Sequence, residues 1–231
     1  VKTELQNNWE CYIETLEMYF RTKEVNGIIL SNPCNPTGHL YSDSYMNMIR
    51  NLCNKYCKYF IVDEVYLPLT NRKTAYDQSE YTIVVNSFSK RWGIPGCRVG
   101  WVIANPYIIK ELCSLQSTIN TCSPSNNQDI AISLLEENYT PELSILMKSK
   151  TEISEILIRK GWTLTANHQP SLYLFPIKDG IDIDELVLKL LDNDLAVIHG
   201  KSFGVENGFR MTLWNKQDVL ERIKVILEDI L

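Results

Sequence analysis

Apolar and polar positions along this chain fall into short apolar runs separated by amphipathic stretches. Gly27–Leu30, Tyr59–Val62, Thr82–Asn86 and Val99–Ala104 are apolar runs bounded by turn-forming residues, which predicts buried strands. Between the first two, Ser42 or Asp43 can cap a helix whose apolar positions Tyr45, Met48, Ile49, Leu52, Cys53 and Tyr56 recur at three- and four-residue steps. A looser helical pattern covers Trp9 to Lys23. Alternation of strands and helices predicts an α/β sheet, and in open α/β sheets ligand groups gather beyond the carboxyl ends of the strands.

Helical periodicity then dominates. It covers Pro106 to Gln116, Pro124 to Glu137, and a long stretch from Pro141 to Lys160 that Thr140 can cap and Gly161 can stop. Beyond it the pattern predicts strands at Trp162–Ala166 and Ser171–Pro176, a helix at Asp182–Asp192, strands at Leu195–Ile198 and Phe209–Leu213, and a helix from Lys216 to Leu231. This order describes a smaller α+β domain. The expected division is residues 1–140 and 141–231, with the helix at about 141–160 as the link. No internal repeat or low-complexity segment interrupts either part.

Composition narrows the function classes. The 231 residues are 45% hydrophobic, enough for a sizeable core. A net charge of -5 without a long Lys/Arg run gives no footprint for nucleic acid or for an anionic membrane. Seven cysteines without a C-x-x-C pair or zinc spacing suit free thiols in a reducing cytosol. With a polar first segment and no apolar run of spanning length, the expected location is cytoplasmic. His39, His168 and His199 show no metal or triad spacing and are expected in loops, while Trp92, Trp101, Trp162 and Trp214 are expected to pack or to line hinges.

Four short motifs carry the chemistry. Asn35-Pro36-Thr37-Gly38 follows the first predicted strand, and Asp63 ends the second with Tyr66 three residues on. Ser87-Phe88-Ser89-Lys90 follows the third, and Arg98 lies eight residues past Lys90. Arg210 stands in the strand Gly208-Phe209-Arg210-Met211-Thr212, after a Gly200-Lys201-Ser202-Phe203-Gly204 loop. Taken singly, each has a plain structural explanation: a turn, a strand-end aspartate capping the next turn, a surface lysine, an arginine on a strand. In series they resemble the fold-type-I pyridoxal-phosphate-dependent aminotransferases of class I/II, the aspartate and histidinol-phosphate aminotransferase kind. The resemblance runs from about Gly27 to the C-terminus.

That resemblance implies a role for each residue. Lys90 forms the internal aldimine with pyridoxal 5'-phosphate and moves the substrate α-proton. Ser87, Ser89 and Arg98 hold the phosphate, Asp63 pairs with the pyridine nitrogen, and Tyr66 and Asn35 bond the ring's phenolic oxygen. Arg210 grips the substrate α-carboxylate, with Asn35 also on the substrate side. Glu64 follows the family pattern, but its charge is as readily solvated as functional.

Only 34 residues precede Asn35, whereas the family carries a glycine-rich phosphate loop, a ring-stacking aromatic residue and an arm toward the partner subunit upstream. The expected fold is therefore the C-terminal part of the pyridoxal-phosphate transferase fold, starting in mid-domain. It would keep a partial, mostly parallel sheet with flanking helices and the small domain. The implied function is transfer of an amino group between an amino acid and a 2-oxo acid by a cytoplasmic homodimer. A fold-type-I decarboxylase or lyase, or a truncated non-catalytic relative, are the alternatives.

Overall fold

The computed structural model describes residues 3, 5–70, 72–137, 143–164, 171–213 and 216–231. Its contacts divide the chain into two units: Val1–Pro33 with Tyr41–Pro141, and Cys34–Leu40 with Glu142–Leu231. The segment Cys34–Leu40, expected with the first domain, thus groups with the C-terminal unit.

In the first unit, helix α1 (Ile13–Phe20) precedes strand β1 (Gly27–Ser31), helix α2 (Asp43–Tyr56) and strands β2 (Tyr59–Asp63), β3 (Thr82–Ser87) and β4 (Gly100–Ile103). Helices α3 (Pro106–Ile119) and α4 (Ser125–Glu136) follow. The strands form one sheet in the order β1-β2-β3-β4. β1, β2 and β3 pair in parallel, and β4 pairs antiparallel to β3. Parallel neighbours need a crossover, and α2 supplies it between β1 and β2.

Local chemistry sets these boundaries. Ser42 Oγ accepts the Tyr45 N–H at 3.1 Å and starts α2. Cys57, left-handed at φ 53°, ends it while the Lys58 N–H reaches Cys53 O. α1 is shorter than the periodic stretch around it, because Trp9 has φ 62° and Tyr12 is extended. Along α2 the buried stripe is Tyr45, Met46, Ile49, Leu52 and Cys53; Met48 faces solvent.

Strand alternation gives the sheet two unlike faces. Phe60, Val62 and Val84 are buried, while Ile29, Ile61 and Ile83 form a register row on the other face, with Ile29 74% exposed. α3 and α4 each bury one residue, Ile108 and Ala131, and Tyr107, Leu115, Ile119, Ile132 and Leu135 are at least half exposed.

The second unit contains α5 (Ser144–Arg159), β5 (Tyr173–Leu174), α6 (Ile183–Asp192), β6 (Ile198–His199), β7 (Phe209–Thr212) and α7 (Gln217–Ile230). Its antiparallel sheet has the order β5-β7-β6. Asp182 Oδ1 caps α6 by accepting the Glu185 N–H at 3.0 Å. Ile153, Leu157, Leu190, Phe209 and Leu227 are fully buried in one core shared by the three helices and the sheet. Each such side chain stabilises the fold by about 1.5–3 kcal/mol relative to exposure.

Several expected elements shift. The strand at Leu195–Ile198 lies instead at Ile198–His199, because those two residues pair with Arg210 and Phe209. Ser171–Pro176 shortens to Tyr173–Leu174, and Trp162–Ala166 reduces, among its described residues, to a bridge between Thr163 and Ile177. The cap at Thr140, the first turn at Pro141, the end of that strand at Ala166, His168 and Trp214 lie outside the described residues. His199, expected in a loop, sits in β6, and its Nδ1 accepts the Lys201 N–H at 2.9 Å.

Candidate functional site

Because β1, β2 and β3 are parallel, their carboxyl ends share one edge of the sheet, where Asp63 lies in register with Ser31 on one side and Val85 on the other. Asp63 Oδ1 accepts the Val65 N–H at 3.0 Å, so one carboxylate oxygen caps the turn after β2. Among the described residues no hydrogen bond engages Oδ2. The turn leads to Tyr66, which is buried, and Lys90 Nζ lies 5.6 Å from the centroid of its ring.

Of the two readings open for Glu64, burial excludes the solvated charge. It is 2% exposed, and its carboxylate accepts the Ala75 N–H. Burial pushes its pKa up, the Ala75 N–H and the nearby Thr74 side chain oppose the shift, and the Asp63 charge adds to it. Since Glu64 also donates its N–H to Val85 O at 2.8 Å, it ties residues 74–75 to the end of β2.

The Lys90 turn is held by aromatic packing. Phe88 is buried against Trp92 (4.8 Å between centroids) and Trp101 (5.4 Å), and its N–H reaches Val99 O at 3.1 Å. Ser87 Oγ accepts the Ser89 N–H at 3.3 Å, which leaves the Ser87 hydroxyl proton for another acceptor. Gly93 N–H closes the turn on Lys90 O at 3.2 Å.

Arg98 adopts φ 53°, a left-handed conformation that disfavours a non-glycine residue by roughly 1–2 kcal/mol. The loop before α4 and α4 itself hold it there. Ser123 Oγ donates to Arg98 O at 2.9 Å, and Asn127 Nδ2 donates to Cys97 O at 3.0 Å. The exposed guanidinium donates to Pro95 O at 3.0 Å. Sequence reading passed over Ser123 and Asn127, since a Ser or Asn at the start of a helix signals only a cap.

In the second unit, the Asn35 turn closes through Gly38 N–H to Cys34 O (2.8 Å) and Cys34 N–H to His39 O (2.7 Å). Gly38 has φ 69°, and a Cβ there would lie 2.4 Å from Ser171 Oγ, so both conformation and space require glycine. On β7, Phe209 and Met211 point into the core, which turns Arg210 to the opposite face. Arg210 Nη1 donates to Asn35 Oδ1 at 2.9 Å. Its guanidinium lies over the rings of Tyr173 (4.5 Å) and Phe203 (5.3 Å). Its Nε is buried with no hydrogen-bond partner among the described residues. Phe203 lies in the loop quoted above, but only the structure gives it this contact.

The donor set of the first unit is chemically specific: two serine hydroxyls and a guanidinium for an ester anion, an amine for a carbonyl, and a carboxylate oxygen for a protonated ring nitrogen. Those groups fit pyridoxal phosphate. The orphaned Nε of Arg210 fits a carboxylate. Among the described residues no cluster of three or more His, Cys, Asp or Glu could hold a metal ion, and no helix is long and apolar enough to cross a membrane.

The profile of the family described as aminotransferase class I and II matches residues 1–226. The chain is 29% identical over 237 residues to a (5-formylfuran-3-yl)methyl phosphate transaminase of Methanocaldococcus jannaschii, covering 93% of this chain and 61% of that protein. It is 28% identical over 228 residues to an aspartate aminotransferase of Sulfurisphaera tokodaii, covering 90% and 57%. The solved aspartate aminotransferase of Thermotoga maritima superposes with a TM-score of 0.82 at 24% identity, over 99% of this chain and 63% of that one. The chain therefore spans about 60% of the length of the curated relatives it matches.

Proposed function

The chain belongs to the class I and II aminotransferase family, and we propose that it takes part in pyridoxal-phosphate-dependent transfer of an amino group between an amino acid and a 2-oxo acid. The observation that carries this reading is Lys90 Nζ 5.6 Å from the Tyr66 ring, in the unit whose β2 ends at Asp63.

When bound, the cofactor supplies a protonated ring into which the electron pair of a broken Cα–H bond can spread. Asp63 Oδ2, left unengaged by the turn, holds the proton on the ring nitrogen. Lys90 Nζ would take up the substrate Cα proton and hold it for return. Ser87, Ser89 and Arg98 would donate to the phosphate. Tyr66 would donate to the ring's phenolic oxygen. Arg210 offers its Nε and an Nη to the substrate α-carboxylate in the fork geometry that guanidinium favours, and Asn35 shares the substrate side with it.

The reading extends to a cytoplasmic homodimer. All seven cysteines are free, which suits a reducing compartment. The apolar side chains that α3 and α4 present to solvent suit burial against a second subunit.

The test is a panel of amino acids with 2-oxoglutarate and added cofactor, read as glutamate formation. Ammonia or carbon dioxide released without glutamate would replace transamination with lyase or decarboxylase chemistry. A purified chain that gives no near-ultraviolet or visible band with cofactor would mark a non-catalytic relative.

A further inference from the structure

A cavity of about 480 Å³ opens in the first unit between the start of α2 and the segment after Leu69. Asn32, Tyr41, Asp43, Arg50, Arg72 and Lys73 form its wall. Ser87, Ser89, Lys90 and Arg98 take no part in it, so it is separate from the groups assigned above to cofactor. Its volume lies in the range of small-molecule pockets, about 300–1,000 Å³.

The charges on the wall do not cancel. Arg50 forms an ion pair with Asp77 (Nε to Oδ2, 2.9 Å) and donates through Nη2 to Ala75 O at 2.7 Å and through Nη1 to Asn47. Arg72 pairs with Asp43 through Nη1 and leaves its other N–H groups without a partner among the described residues. Lys73 is exposed and has no ionic partner among those residues. One positive charge is therefore uncompensated, and it sits at the cavity.

The second observation is independent of charge. Asn32 is 6% exposed, and its Oδ1 accepts the Tyr41 N–H at 3.0 Å, which fixes the orientation of the amide. Its Nδ2 then has no hydrogen-bond partner among the described residues. An acceptor atom inside the cavity would satisfy it.

We propose that this cavity binds a small molecule bearing a carboxylate or phosphate group. An oxygen of that group accepts from Asn32 Nδ2, and its charge meets Lys73 and the free edge of Arg72. The Asn32 backbone N–H donates to Asp63 O at 2.9 Å.

The test is titration of the ¹⁵N-labelled chain with inorganic phosphate and, separately, with succinate, following the Asn32 side-chain amide by NMR. The expected result is a saturable shift of that resonance with one of the two anions, which identifies the chemistry recognised. Lys73→Gln, a change at an exposed position, should weaken the affinity about tenfold. Arg98→Gln removes the other group that inorganic phosphate could visit and should leave the shift in place. An unmoved Asn32 resonance up to tens of millimolar, or a shift lost in Arg98→Gln and kept in Lys73→Gln, overturns the proposal.

Discussion

Arg210 and Asn35, 175 residues apart in sequence, are joined by a hydrogen bond from Nη1 to Oδ1 at 2.9 Å. The amide oxygen occupies one arm of the guanidinium fork where a carboxylate oxygen would otherwise sit. The rings of Tyr173 and Phe203 fix its plane, so little side-chain freedom remains to be lost when an anion arrives.

Arg210→Lys keeps the charge and loses the fork. We expect KM for the amino-acid substrate to rise about ten- to hundredfold, the equivalent of one charge-assisted hydrogen bond, while the absorbance of the cofactor-loaded resting protein is unchanged. Steady-state kinetics beside the spectrum check this. An unaltered KM would place the carboxylate elsewhere.

Borohydride reduction of the cofactor-loaded chain followed by peptide mapping should find the pyridoxyl group on Lys90. The same group on Lys73, Lys110 or any other lysine would remove Lys90 from its assigned role.

Asp63→Asn should slow turnover on the order of 10²- to 10³-fold, because a neutral amide no longer stabilises the ring proton. Cofactor retention should change far less, since the phosphate contacts of Ser87, Ser89 and Arg98 remain. Equal losses in both measurements would contradict an electronic role.

His39 makes stability depend on pH. Burial pushes its pKa down from 6.5 to about 4, so the folded state prefers the neutral ring. Its contribution is fully present above pH 6.5. It falls as the unfolded chain takes up a proton below that value, and the loss is complete near pH 4. Urea midpoints measured across that window should decline with falling pH, and His39→Gln should flatten the decline. Parallel curves for the two proteins would exclude His39 as the cause.

Much of the fold was legible because its strong signals are local. The runs at Gly27, Tyr59 and Thr82 are apolar and closed by turn formers, and each became a strand within one residue of expectation. The short strands of the second unit were not legible in the same way. Ile198–His199 is a strand only because β7 lies beside it, a partner that the local pattern does not reveal. The burial of Glu64 was hidden for a similar reason, since Ala75, whose N–H meets its carboxylate, stands eleven residues downstream. The motif residues were found through their resemblance to a family. Their supports emerged from contacts alone: Ser123 and Asn127 behind the Arg98 loop belong to no motif, and Phe203 stands in a quoted loop that gave no sign of its place beside Arg210.

The seven residues Cys34–Leu40 belong by contact with the C-terminal unit, although the chain on both sides of them belongs to the other. Gly38 is pressed against Ser171, and Asn35 holds Arg210. The C-terminal unit is therefore not a cassette that a cut near position 142 would release intact. A piece running from Glu142 to Leu231 would leave Arg210 without its amide and Ser171 facing a gap. A recombinant graft of this unit onto another carrier would have to bring the upstream turn as a second, covalently separate strand of sequence.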